Sequence, residues 1–181
     1  MSLAKQAKTL TKPQMDAVLG FLNSTRHPQR NRLIFLLSVK AGLRAKEIAS
    51  LKWSMVTDAE GRLTDTIQLT NDASKGNSGR VIPINKELLG ALTAWMGQER
   101  RPYSKSPFVI TTERSPKTTS YAMVNLFAEW YRALGFIGAS SHSGRRTSPT
   151  QYATKNEGEL LDTTQKPFNC RKIFYYCIST H

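Results

Sequence analysis

The sequence predicts a mixed α+β fold, mainly α-helical, with a small antiparallel three-stranded sheet packed on one side. Three observations predict it. Apolar residues recur at helical spacing in several long stretches, and two short β-branched runs flank a turn-rich segment in the middle of the chain. The length of 181 residues, with 39% hydrophobic and 22% charged residues, suits one well-filled core of packed layers.

Thr11-Lys-Pro-Gln14 opens the first helix: Thr caps, Pro sits in the first turn, and Gln at the third position completes a capping box. Met15, Val18, Leu19 and Leu22 then share one face. Pro28 opens a second helix through Asn31 to Lys40, whose Leu33 to Leu37 run marks deep burial, and Gly42 ends it. A short helix from Arg44 to Leu51 follows, with Ile48 and Leu51 inward. The period then changes. Thr66 to Thr70 and Arg80 to Ile84 are short and β-branched, and Asp72 to Gly79 between them is rich in turn formers, so a β-hairpin is predicted. Pro83 places its strand at a sheet edge. Lys86 to Gln98 returns to helix, with Leu88, Leu89, Leu92, Trp95 and Met96 as its apolar face. Phe108 to Thr111 reads as the third strand. A long helix from Ser120 to Leu134 carries Met123, Leu126, Phe127, Trp130 and Tyr131 inward, and Gly135 closes it.

Charge narrows the function. Lys and Arg number 26 against 13 acidic residues, a formal charge of +13. Such an excess suits a polyanionic partner, nucleic acid ahead of an anionic membrane surface. The start, MSLAKQAKTL, has no long apolar segment, and Leu33 to Leu37 is far too short to span a bilayer. Cys170 and Cys177 form neither a disulfide framework nor a zinc cluster, so a reduced, cytoplasmic setting is expected.

Four residues stand at element junctions where a structural role is not obvious. Arg44 follows Ala41-Gly-Leu43 at a helix start, and Lys75 lies at the tip of the predicted hairpin. His142 and Arg145 belong to Ser141-His-Ser-Gly-Arg145, which follows a small-residue turn and opens another helix. Alone, each is weak: a lysine in a turn is usually a solvated charge. In order they are specific. Ala41 to Trp53 (AGLRAKEIASLKW), Ser74 to Ile84 (SKGNSGRVIPI) and Ser140 to Thr147 (SSHSGRRT) closely resemble three successive motifs of the tyrosine recombinases (phage-integrase type). The resemblance covers about Lys8 to Thr147 and implies that family's catalytic-domain fold, which breaks and rejoins DNA.

The resemblance also implies a mechanism that suits the residue types. Arg44 and Arg145 would bracket the scissile phosphate, each guanidinium making bidentate bonds while staying charged at any working pH. Loss of one such preorganised donor typically costs about 3–4 kcal/mol of barrier. His142 would donate to the same phosphate or help move the nucleophile's proton. Lys75 would protonate the departing 5′ oxygen from a mobile hairpin. Glu47, one turn beyond Arg44, either buttresses that arginine or is a surface cap partner. Arg146 and Lys46 read as backbone contacts or solvated charges, and His27 as a helix-start residue. The implied partner is double-stranded DNA, with self-association on two duplexes. No cofactor, metal, membrane or small-molecule substrate is implied.

The pattern breaks after Thr147. The family's Gly-His or Gly-Trp pair is absent, and Trp does not recur after Trp130. Tyr175 and Tyr176 lie at roughly the family's distance from Arg145, whereas Tyr152 is too close. The chain therefore divides into a catalytic-type domain, 1–147, and an atypical tail, 148–181. Three origins fit the tail: a divergent C-terminus that uses Tyr175 or Tyr176, a frame change near codon 147, or a fusion scar. A frame change accounts for the abrupt shift in composition and the stray cysteines. It would leave a catalytically defective integrase remnant that only binds DNA. The catalytic-type region also starts almost at residue 1, so phosphate contacts should supply most of the affinity.

Overall fold

Helix formation begins where the sequence caps it. In the computed structural model, which describes residues 6–71, 79–98 and 103–148, α1 spans Lys12–Asn23. The Thr11 amide donates to Gln14 Oε1 at 2.9 Å, and the Gln14 amide to Thr11 Oγ1 at 3.4 Å, closing the predicted box. Val18 and Leu22 are buried, with Met15 and Leu19 partly so.

The second helix, α2 (Pro28–Val39), is buried on nearly every side from Leu33 to Val39, as a helix apolar all round must be. Gly42 ends it at φ +65°, a conformation that costs a glycine little. The Leu43 amide bonds back to the Leu37 carbonyl at 3.1 Å, six residues away, which folds the turn onto the helix end. That turn delivers Arg44 to the start of α3 (Ala45–Ser50), and a single 3-10 turn, Trp53–Met55, follows.

β1 (Thr66–Leu69) and β2 (Arg80–Pro83) pair antiparallel, with Thr66 opposite Pro83 and Leu69 opposite Arg80. Ile67, Leu69 and Ile82 turn inward, while Val81 is 67% exposed. α4 (Lys86–Met96) starts at Asn85, whose Oδ1 accepts from the Leu88 amide at 2.9 Å. α5 (Ser120–Ala133) buries Met123, Phe127, Trp130 and Tyr131, and Gly135 closes it at φ +69°. The last helix among the described residues is α6 (Ser141–Thr147). The buried α2 packs against α1, α3, α4 and α6, and α5 packs against α1, α3 and α6. No helix among the described residues is long and apolar enough to cross a membrane.

Two expectations are corrected. The described sheet has two strands, not three: Phe108 forms only an isolated bridge with Lys52. Val109 and Ile110 are fully buried, so the run reads as a strand. Its partner, however, is the Leu51–Trp53 connection. The Val109 amide donates to the Leu51 carbonyl at 2.9 Å, while the Val109 carbonyl accepts from the Trp95 indole at 2.7 Å. A side chain takes the acceptor that a ladder would need. On α4, Met96 is 41% exposed, and Ala91 takes the inward place beside Leu88, Leu92 and Trp95.

Candidate active site

Arg44 occupies the N-cap of α3 with extended backbone, φ −75° and ψ 158°. An arginine has no acceptor to satisfy the helix's open amides, so the box here is one-sided. Glu47 closes it from the other direction: its Oε2 accepts from the Arg44 amide at 2.8 Å. Glu47 Oε1 accepts from Arg44 Nη1 at 3.0 Å. The carboxylate has no solvent exposure, yet Arg44 keeps 38% of its side chain exposed. One acidic residue thus starts the helix and holds the arginine that precedes it.

A second arginine meets the same carboxylate. Arg80, the first residue of β2, donates from Nη1 to Glu47 Oε1 at 3.0 Å and from Nη2 to Oε2 at 2.9 Å. Burial on its own would raise the Glu47 pKa. Hydrogen bonds from Arg80 and Arg44 outweigh it and hold the carboxyl below the usual carboxylate range.

α6 brings the other candidates. Ser140 Oγ accepts from the His142 amide at 3.3 Å, and Ser143 Oγ accepts from the Ser140 amide at 2.9 Å, which fixes the helix start. His142 and Arg145 are three residues apart on one turn, and both face the cleft. Burial first, then the neighbouring Arg44 guanidinium and Arg80, push the Arg145 pKa below the ordinary arginine value, with Glu47 pulling the other way. It stays protonated at any working pH.

Three contacts lock α6 in place. Gly144 passes so close to α2 that a Cβ there would lie 3.0 Å from Ser38 Cβ and 3.1 Å from Val39 Cγ1, and would collide with Ser38 Oγ. Thr147 Oγ1 accepts from the Leu10 amide at 2.8 Å and donates to the Ser143 carbonyl at 2.8 Å. Ser148 is fully buried, and its Oγ donates to the Lys40 carbonyl at 3.2 Å, beside the Gly42 turn that leads to Arg44. The two motifs are therefore fastened back to back.

The result is an open cleft of about 600 Å³ lined by Arg44, Ser140, His142, Arg145, Arg146 and the small residues Ala7, Gly138 and Ala139. No carboxylate lines it among the described residues. Three of the six predicted site residues, Arg44, His142 and Arg145, come together there. Lys75, Tyr175 and Tyr176 lie outside the described residues. Arg146 donates to Gln6 Oε1 at 2.9 Å, so it also ties the N-terminal segment to α6. Arg80 was not among the sequence candidates. The available signal was its place in the return strand of the second motif, opposite an acidic residue three positions after Arg44.

Comparison with known proteins identifies the family. The Phage integrase family profile matches residues 8–164, and the chain belongs to that family. It is similar to the tyrosine recombinase XerA of Thermococcus onnurineus (strain NA1), with 34% identity over 122 residues, covering 64% of this chain and 40% of that protein. Among solved structures, a crystal structure of XerA recombinase superposes over 84% of this chain and 52% of the other, with a TM-score of 0.62 at 15% identity. Lambda integrase bound to DNA does so over 82% and 51%, with a TM-score of 0.62 at 19% identity. The shared fold is that of these proteins' catalytic-type region, and the chain spans about half or less of their length.

Proposed function

We propose that this chain cleaves and rejoins double-stranded DNA in site-specific recombination or integration, through a 3′-phosphotyrosyl intermediate. The observation that carries the reading is the convergence of Arg44, His142 and Arg145 on one cleft that no carboxylate lines among the described residues, with Arg44 braced from behind by Glu47. A phosphodiester resists attack because its charge repels nucleophiles and its leaving alkoxide is poor. Two guanidiniums at the nonbridging oxygens offset the first, since they stabilise the charge that builds on those oxygens around pentacoordinate phosphorus. The second needs a general acid. His142 donates to the same phosphate or moves the nucleophile's proton. Lys75 is the general acid for the 5′ oxygen, and Tyr175 or Tyr176 is the nucleophile. A formal charge of +13 favours the duplex; the family's chemistry implies assembly on two duplexes, in the cytoplasm.

One feature favours a second reading, a remnant that binds DNA without cutting it. The sequence after Thr147 lacks the Gly-His or Gly-Trp pair, while Arg44, His142 and Arg145 all precede it. A nicked suicide duplex separates the two. A covalent protein–DNA adduct that vanishes with Tyr175→Phe or Tyr176→Phe supports cleavage. Salt-sensitive duplex binding with no adduct supports the remnant. Binding that Arg44→Ala and Arg145→Ala alter no more than any other lost surface charge sinks both.

A further inference from the structure

Arg80 stands one layer behind the cleft and does not line it. Its hydrogen bonds nonetheless reach the residue on which Arg44 depends. Glu47 Oε1 receives Arg44 Nη1 and Arg80 Nη1, each at 3.0 Å. Its Oε2 receives the Arg44 amide at 2.8 Å and Arg80 Nη2 at 2.9 Å. A carboxylate has about four lone-pair directions, and four donors occupy them. Left to themselves, an adjacent carboxylate and guanidinium settle into a two-pronged fork. Arg44 is three residues from Glu47 and makes one side-chain bond to it, while Arg80 holds the fork.

We propose that Arg80 is a positioning residue: by saturating Glu47 it limits Arg44 to a single side-chain bond and leaves the Arg44 Nε and Nη2 donors to a phosphate. Without Arg80, Arg44 swings onto both Glu47 oxygens and turns its donors away from the cleft. The strand that carries Arg80 is also the return strand of the hairpin, so the hairpin base and Arg44 share one anchor. The geometry of the three residues stands by itself. Only the identity of the anion rests on the proposed function.

The test uses the full chain labelled with nitrogen-15 arginine, with Arg44 signals assigned by loss in Arg44→Lys and inorganic phosphate as the probe. Arg80→Lys keeps the charge but not the fork. The expected result is that the Arg44 Nε and Nη signals move in Arg80→Lys before any ligand is added. The phosphate concentration needed to perturb them then rises about tenfold, the size of one lost hydrogen bond to a charged group. Adding Glu47→Gln to Arg80→Lys removes the competing fork and should restore the phosphate response. Arg44 signals that stay in place in Arg80→Lys overturn the positioning role, as does a double variant that stays unresponsive. The double variant strands no buried carboxylate, so it decides the matter should Arg80→Lys fail to fold. If Arg44 moves as expected but the wild type ignores both phosphate and a DNA duplex, the proposed function fails while the positioning role stands.

Discussion

Glu47 and Arg80 are 33 residues apart in the chain and meet through two parallel hydrogen bonds of 3.0 and 2.9 Å, at a carboxylate with no exposed surface. The pair joins α3 to the strand β2. Such a pair is costly to break from one side, because the survivor keeps its desolvation penalty.

Replacing Glu47 with Ala should lower stability by about 2–3 kcal/mol, the lower part of the usual range, since both arginines reach water once released. The acid response should change as well. The Glu47 pKa is lower in the folded chain than in the unfolded one, so the unfolded state takes up a proton first as pH falls. Its stabilisation is complete above the ordinary carboxylate value of about 4.3 and fades as pH drops through the folded value. Urea midpoints measured across this range should fall less steeply in Glu47→Gln than in the wild type. Parallel curves would refute the assignment.

Gly144→Ala should destabilise the protein by about 1–3 kcal/mol through overpacking. Alanine normally strengthens a helix relative to glycine, so the sign itself is diagnostic. Gly20 in α1 and Gly90 in α4 have nothing within 4 Å of a new Cβ. Alanine at either should raise stability by about 0.4–1 kcal/mol. Thermal melts of the three variants check the contrast, and a stabilised Gly144→Ala would mean that α6 is not pressed against α2.

Thr147→Val removes the acceptor of the Leu10 amide and the donor to the Ser143 carbonyl. The expected loss is about 1–2 kcal/mol. Hydrogen exchange adds a local readout: the Leu10 amide should exchange faster in the variant while the amides of α2 remain protected. Uniform acceleration would instead point to global unfolding.

Duplex binding followed by fluorescence anisotropy across a salt series should weaken in Arg44→Ala and Arg145→Ala, each reducing the salt slope by about one. Arg62→Ala is the matched control. That arginine is 74% exposed and bonded to Asp58 and Glu60, away from the cleft. Equal losses in all three would mean that charge alone binds the DNA.

Local signals in the sequence were the ones that could be read. Thr11 and Gln14 announce α1 through contacts three residues apart, and Gly42 and Gly135 announce helix ends through the left-handed backbone each adopts. That Arg44, His142 and Arg145 meet in one cleft was legible because motif order is itself a long-range signal. What escaped depends on neighbours far along the chain. Nothing near Arg80 distinguishes a charge that meets a buried carboxylate from one that meets water. Phe108 to Thr111 has the composition of a strand, but Trp95, from another helix, takes its carbonyl. Gly144 reads as a helix-weakening residue until Ser38 is known to sit behind it.

The tight seat of Gly144 on Ser38 and Val39 means that α6 cannot roll about its own axis. The bearing of His142 and Arg145 toward Arg44 is therefore dictated from the hydrophobic interior, on the side facing away from any ligand. A change at Ser38 or Val39, neither of which lines the cleft, should behave as an active-site mutation in its effects. Substitutions that enlarge either side chain would tilt two of the three converging side chains at once while leaving every charged residue intact. In this molecule the aim of these side chains is a property of their steric background, and drift in that background would misalign the cleft before it was seen as a loss of fold.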